Sequence, residues 1–244
     1  MKLNVGAAIQ EALAIWRRDR DVIVAVAGVF FFLPNLALSL FMRTDRITVR
    51  AGTQDDQALL ASMQSYLVDN IHWLALQALA ELVGIAVLLA LILDPARPTV
   101  GEALRTAFRR LPVLVVATLL INAAKLGGLI LFILPMLYVI GRVFVVLPVL
   151  MAEPERRFGD AMGRAIELTK GHALQLLSLS GLIFFGGQMV VLLLSATASA
   201  VSAGGTNPVT MAILAFAASV VAAAMSIAFT LTRATIYRRL ASNG

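Results

Sequence analysis

The stretch Val100-Gly101-Glu102-Ala103-Leu104-Arg105-Thr106-Ala107-Phe108 decides how the rest of the chain is organised. Its apolar residues, continued by Leu111, recur at i, i+3, i+4, i+7, i+8 and i+11, which places them on one face of an α-helix. Glu102 and Arg105 fall on the opposite face. The stretch therefore predicts a short amphipathic helix.

The same layout occurs in two other places, each time ending in cations and followed by long apolar runs. In the first copy the apolar positions are Val5, Ala8, Ile9, Ala12, Leu13 and Trp16, and in the third they are Phe158, Ala161, Met162, Ala165 and Ile166. Either the three copies form an internal repeat, or three surface helices have converged on a similar composition. The repeat predicts a single transmembrane domain with pseudo-repeats over 5–93, 100–151 and 158–232.

The composition is that of an integral membrane protein. Hydrophobic residues make up 60% of the chain and charged residues 14%, with a mean hydropathy of +0.89, against about 45–50% and about 25% in soluble domains. The chain has no cysteine, which excludes disulfides and thiolate metal sites. The net charge of +6 does not point to nucleic acid, because the cations cluster at the ends of the apolar runs.

The apolar runs predict six transmembrane helices, arranged as three hairpins that each follow a cytoplasmic amphipathic interfacial helix. A span needs about 20 apolar residues, and the predicted spans cover about 22–42, 71–93, 112–133, 136–151, 173–197 and 209–232. Pro34 predicts a kink in the first span, and Leu134-Pro135 predicts a tight turn between the third and fourth. The small residues of the sixth span predict a packing face within the chain.

The distribution of cations predicts the orientation. One side of a six-span topology would hold only Arg43, Arg46 and Arg50, beside several aspartates, while the other would hold every remaining cation outside the spans. The positive-inside rule then places both termini and all three surface helices in the cytoplasm, with the protein in a bacterial inner membrane.

Three charged residues within the spans are candidates for a central site: Glu81, Lys125 and Arg142. Charges at membrane depth are costly and usually face a partner or a water-filled cavity. Glu81 and Arg142 fall at similar depths and could pair if the second and fourth spans are neighbours. Gln77 and Asn122 extend the polar stripe on their helices. The cluster is either a substrate or proton site or, as we favour, an ion pair that holds helices in register.

Cations on the surface helices are candidates for contact with anionic lipid headgroups: Arg17, Arg18, Arg109, Arg110, Arg164 and Lys170. No phosphate-binding loop, zinc-binding helix motif or nucleophile–base set is present. We therefore expect no catalytic residues, no metal and no cofactor.

The segment 134–171 resembles part of a bacterial six-helix membrane-protein family. The resemblance is carried by Leu134-Pro135-Met136-Leu137-Tyr138-Val139-Ile140-Gly141-Arg142, then Pro148, Glu153, Ala161-Met162 and Glu167-Leu168-Thr169-Lys170-Gly171. That family includes the membrane domain fused to some glycerophosphodiester phosphodiesterases and many stand-alone proteins of unknown role. In such fusions the chemistry lies in a separate soluble domain, so the resemblance implies a membrane domain without that activity.

These features favour a non-enzymatic inner-membrane protein that interacts with lipid in envelope or lipid homeostasis. The alternative is a small-solute or lipid transporter with a central polar site built around Glu81 and Arg142. An intramembrane enzyme is the least favoured, for lack of a nucleophile and base.

Overall fold

The computed structural model describes residues 4–41, 56–131, 133–201 and 208–242, which form helices joined by short turns. The helices are α1 (Val5–Ala27), a π-helical turn (Gly28–Phe32), α2 (Leu33–Phe41), α3 (Asp56–Leu93), α4 (Val100–Leu131), α5 (Ile133–Arg142), α6 (Val146–Ala152), α7 (Phe158–Leu168), α8 (Ala173–Val201) and α9 (Pro208–Ala241). Arg43, Arg46 and Arg50, which the sequence predicts on the outer side, lie outside the described residues, as do residues 202–207 between the predicted fifth and sixth spans.

Five helical stretches are long and apolar enough to cross a membrane: Val5–Phe41, Gln64–Leu93, Val100–Gly128, Ala173–Thr197 and Val209–Ala241. They identify the chain as a multi-pass membrane protein. With 38 residues, α3 is about 57 Å long at about 1.5 Å per residue. It therefore extends well beyond a hydrocarbon core of about 30 Å.

The predicted fourth span is not one continuous helix. The apolar segment Met136–Ala152 is shorter than the other five, and it is divided into α5 and α6 by a turn over 143–145. The turn predicted at Leu134-Pro135 does not lie at these residues, because both are inside α5. Proline fits the first turn of a helix, where an amide N–H has no partner to lose.

The first membrane stretch is distorted at the place where its sequence predicts a kink. A π-helical turn over Gly28–Phe32 immediately precedes Pro34, and π-turns are a common way to accommodate a disrupted hydrogen-bond ladder. The Asn35 side-chain amide donates to the Phe31 carbonyl at 2.8 Å, which supplies a donor beside the proline. Gly84 of α3 packs directly on this turn, since a Cβ there would meet the Phe31 ring.

The three surface helices join their spans in three different ways. The first runs into its span through a kink at Asp19, where φ and ψ are −117° and 21°. The second is continuous with its span, because α4 passes through Pro112 without a break, although the sequence predicts a new helix there. The third ends at Leu168, and Gly171 with φ of 81° turns the chain into α8. Only glycine adopts that backbone region without steric cost.

The three copies share a burial pattern as well as a sequence pattern. The alanines three and seven residues after the start of each copy are buried: Ala8 and Ala12, Ala103 and Ala107, Ala161 and Ala165. The large apolar residue eight positions after the start is exposed each time, by 49% at Leu13, 54% at Phe108 and 39% at Ile166. Each helix therefore packs on the bundle through small residues and presents a large apolar side chain outward.

The core lies mainly at the end of the bundle where the surface helices pack. Buried residues are concentrated in the last turns of α3 and α9, in α6 and in the alanine faces of the surface helices. The outer sides of α8 and the first half of α9 are largely exposed, as expected for surfaces that face lipid. As predicted for its small-residue face, α9 packs against neighbours within the chain, namely α1, α2, α3 and α8.

Candidate functional site

Glu81 is held inside the bundle by a hydroxyl of another helix. The Ser226 side chain on α9 donates a hydrogen bond to the Glu81 carboxylate on α3, with 2.9 Å between Oγ and Oε1. Both residues are half-buried. Because α3 and α9 are far apart in sequence, this contact fixes the depth of one helix against the other.

Arg233 completes this polar region, although it follows the predicted sixth span, which ends at about residue 232. It is close enough to Glu81 and to Lys125 for electrostatic interaction with both. Its guanidinium carbon lies 5.5 Å from the ring centroids of Phe144 and Phe229. Phe144 lies in the turn between α5 and α6, so the break in the fourth apolar segment is what places this aromatic ring against the cation.

The Arg233 guanidinium is incompletely satisfied. Its Nε is buried and has no hydrogen-bond partner among the described residues. The central cluster consists of Lys125, Glu81 and Arg233. It holds two cations and one carboxylate, so its formal charge is positive. In the membrane-spanning part of a protein, such a cluster either locks the packing or marks a place for an anion.

The predicted polar stripe is divided between the inside and the outside of the bundle. Gln77 and Lys125 are half-buried, whereas Asn122 is exposed. Asn122 therefore does not share an inward-facing site with Lys125, although the two residues lie one turn apart on α4. Glu81 and Lys125 are the predicted candidates that the structure brings into the central cluster.

The predicted Glu81–Arg142 ion pair is not found among the ion pairs of the described chain. The Arg142 guanidinium lies 5.4 Å from the ring centroid of Tyr138, one turn earlier on α5. The Arg142 carbonyl accepts a hydrogen bond from Thr169 at 3.2 Å. The physical reason is helix placement: α5 packs on α4 and α8, whereas Glu81 on α3 faces α9.

Cations at the end of α9 tie several elements together at one end of the bundle. Arg239 donates to the Glu11 carboxylate at 2.9 Å and to the Ala7 carbonyl at 3.1 Å, which fastens the first surface helix. Arg238 donates to the Ile92 carbonyl at 2.9 Å, near the C-terminus of α3, where a cation complements the helix dipole. From the sequence alone, both arginines serve only as cations that predict the orientation in the membrane.

Two more sets of side-chain contacts lie at this end of the molecule. The Tyr237 hydroxyl donates to the Glu153 carboxylate at 2.9 Å, joining α9 to the segment before α7. Glu102 accepts hydrogen bonds from the Thr99 backbone N–H at 2.7 Å and from its hydroxyl at 2.9 Å. Thr99 and Glu102 thus form a capping box that begins α4, a signal present in the sequence as Thr-x-x-Glu.

The predicted lipid-facing cations fall into two groups. Arg17, Arg109 and Lys170 are exposed, Arg110 is half-buried, and none of these belongs to an ion pair within the described chain. Arg18 is exposed but pairs with its neighbour Asp19 at 2.7 Å. Arg164 is only 25% exposed and lies 3.6 Å from Glu167, so its side chain follows the helix instead of pointing outward.

Nothing in the described part of the chain gathers three acidic or histidine side chains in a geometry that could hold a metal ion. No protein-family model, curated protein or solved structure matches this sequence.

Proposed function

We propose that this chain is a non-enzymatic inner-membrane protein whose three surface helices bind the headgroup region of the cytoplasmic leaflet. The observation that carries the proposal is the shared exposure of Leu13, Phe108 and Ile166 near cations that form no ion pair within the described residues. A helix that exposes a large apolar side chain next to a cation suits an interface, where the first enters the acyl boundary and the second meets phosphate.

Contacts at one end of the bundle support the same membrane depth for the three surface helices. The contacts of Arg238, Arg239 and Tyr237 bring the first surface helix, the end of α3 and the segment before α7 to the same end of the bundle. The excess of cations at that end favours the cytoplasmic side. A role in envelope or lipid homeostasis, and the relationship to the six-helix family named above, are parts of this proposal.

The proposal is tested by asking which lipids remain bound. Replacing Arg109, Arg110 and Lys170 by Gln removes three surface cations, each contributing about 1 kcal/mol to binding an anionic surface. Native mass spectrometry of the protein released from nanodiscs containing phosphatidylglycerol and phosphatidylcholine should show fewer retained anionic lipids. Arg97→Gln is the matched control, because Arg97 is exposed but lies in the segment before α4. Equal retention in both variants would contradict the proposal.

The orientation has its own test. A reporter fused at Gly205, in the segment between α8 and α9, should report the periplasmic side, whereas the same reporter at the C-terminus should report the cytoplasm. A cytoplasmic signal at both positions would overturn the predicted topology and with it the leaflet assigned to the surface helices.

The second candidate is a transporter with a central polar site, and the buried Arg233 Nε without a partner in the described chain favours it. Transport requires that solutes reach this region from water. A Cys at position 81 should then react with a membrane-impermeant maleimide, while a Cys at position 219, which is 2% exposed on α9, should not. Protection of both positions would leave the central cluster as a packing device.

A further inference from the structure

An apolar groove of about 400 Å³ lies between the first surface helix and the helices α8 and α9. Its size falls within the range of about 300–1,000 Å³ that is typical of small-molecule sites. Side chains from all three helices form its walls, among them Leu13, Trp16, Leu182, Ala224 and Ile227. The groove is therefore a product of the fold and not a property of one helix face.

A cation lies beside this groove. Leu13 also borders an adjoining depression that is lined by Gln10, Arg17 and Arg18. Arg18 is committed to Asp19 through a pair of 2.7 Å. Arg17 is exposed, forms no ion pair in the described chain, and lies one helical turn after Leu13. The cation available to an anion is thus Arg17.

An apolar groove that opens beside an exposed cation matches an amphiphile with an anionic head. Trp16, which lines the groove, belongs to the residue type that concentrates at membrane interfaces, where one part of the ring is apolar and the N–H remains hydrated. The two halves of the site correspond to the two halves of a phospholipid, a chain and a phosphate.

We infer that this groove binds one anionic phospholipid, with an acyl chain between α1, α8 and α9 and the phosphate at Arg17. The inference rests on the proposed function, because it requires α1 to lie at the level of the headgroups. It goes further in naming one lipid class and one site, in place of a general attraction to the membrane surface.

Tryptophan fluorescence tests the site directly, since Trp16 and Trp73 are the two tryptophans of the chain. The Trp73→Phe variant leaves Trp16 as the sole fluorophore and is placed in phosphatidylcholine vesicles with brominated phosphatidylglycerol or brominated phosphatidylcholine as quencher. Brominated phosphatidylglycerol should quench Trp16 to a given extent at a mole fraction about five-fold lower than brominated phosphatidylcholine requires. This ratio is expected for one cation–phosphate contact at a membrane surface. The Trp16→Phe variant reports Trp73, which stacks on Phe41 and should show no such preference.

Two pairs of variants separate this site from ordinary lipid around the protein. Ala224→Phe fills the groove and should remove most of the quenching of Trp16, whereas Ala212→Phe adds the same ring at another exposed position of α9. Arg17→Gln should abolish the preference for phosphatidylglycerol. Arg20→Gln, on the same helix but bordering neither cavity, should keep it.

Three results would overturn the inference. The first is equal quenching of Trp16 by the two lipids, and the second is equal quenching in the Ala224→Phe and Ala212→Phe variants. A dimer in native mass spectra that Ala224→Phe abolishes would also overturn it, by making a second copy the occupant. If the groove fails while the Arg109, Arg110 and Lys170 variants still lose anionic lipid, the proposed function stands without this site. If those variants keep their lipid as well, both proposals fail.

Discussion

The Ser226 hydroxyl joins α9 to the Glu81 carboxylate of α3 across 2.9 Å. This contact links residues 145 positions apart in sequence, and it holds a charged group inside a bundle that has few polar interior residues. Arg233, whose guanidinium carbon lies 5.5 Å from the ring centroids of Phe144 and Phe229, interacts electrostatically with the same carboxylate. The pair is therefore a reference point for testing how the helices are kept in register.

Ser226→Ala should destabilise the protein in detergent by about 0.6 kcal/mol, the average for hydrogen bonds between membrane helices, and by no more than about 1.7 kcal/mol. Ser219→Ala is the matched control, since Ser219 donates within its own helix, to the Ala215 carbonyl at 2.7 Å. Removing such a bond within one helix should be nearly neutral. Thermal unfolding followed by circular dichroism measures both variants. Equal losses would mean that the contact between α3 and α9 contributes nothing specific.

Charge exchange should distinguish the observed neighbour of Glu81 from the predicted one. Glu81→Arg places a third cation beside Arg233 and Lys125, so the yield of monodisperse protein should fall. Adding Arg233→Glu should restore part of that yield, because an acid and a base again face each other. Adding Arg142→Glu should not. Size-exclusion chromatography of fluorescent fusions gives the readout, and rescue by Arg142→Glu alone would favour the ion pair predicted from sequence.

The sequence was sufficient to predict the helical class, the positions of most apolar helices and the faces of the surface helices. Periodicity placed Ala103, Ala107 and Phe108 on one apolar face, but it did not indicate that the alanines are buried while Phe108 is 54% exposed. Hydropathy likewise located the long apolar stretches, since a membrane span requires an uninterrupted apolar run. These are local properties, and they survive folding.

The central cluster could not be derived in the same way. Arg233 follows the last apolar run, so a linear scan assigns it to the tail, but α9 continues to Ala241 and brings the side chain back into the bundle. Which helix Glu81 faces depends on tertiary packing, and depth alone suggested Arg142. The break at 143–145 was missed because Gly141-Arg142-Val143-Phe144-Val145 contains no proline to indicate it.

Arg239→Gln should loosen the first surface helix from the bundle. It removes the donor to the Glu11 carboxylate and to the Ala7 carbonyl. Because both ionic side chains are about one-third exposed, the loss should not exceed about 1 kcal/mol. Hydrogen–deuterium exchange should rise over 5–18 and stay unchanged in α7. Arg18→Gln is the control, since its partner Asp19 is the adjacent residue. A uniform rise across the protein would indicate global destabilisation instead.

Two glycines should respond in opposite ways to the same substitution. A Cβ at Gly141 would lie 2.5 Å from the Ala173 carbonyl oxygen, so α5 and the start of α8 would have to separate. Gly141→Ala should therefore cost about 1–3 kcal/mol, as overpacking typically does.

Gly101 follows the first apolar residue of the middle repeat and has open space around the position of a Cβ. Gly101→Ala should instead stabilise α4 by up to about 1 kcal/mol. Thermal unfolding of the two variants in the same detergent decides the matter. Destabilisation by Gly101→Ala would show that this glycine, which recurs as Gly6 and Gly159 after the first apolar residue of the other two copies, has a packing role against a partner such as the membrane surface.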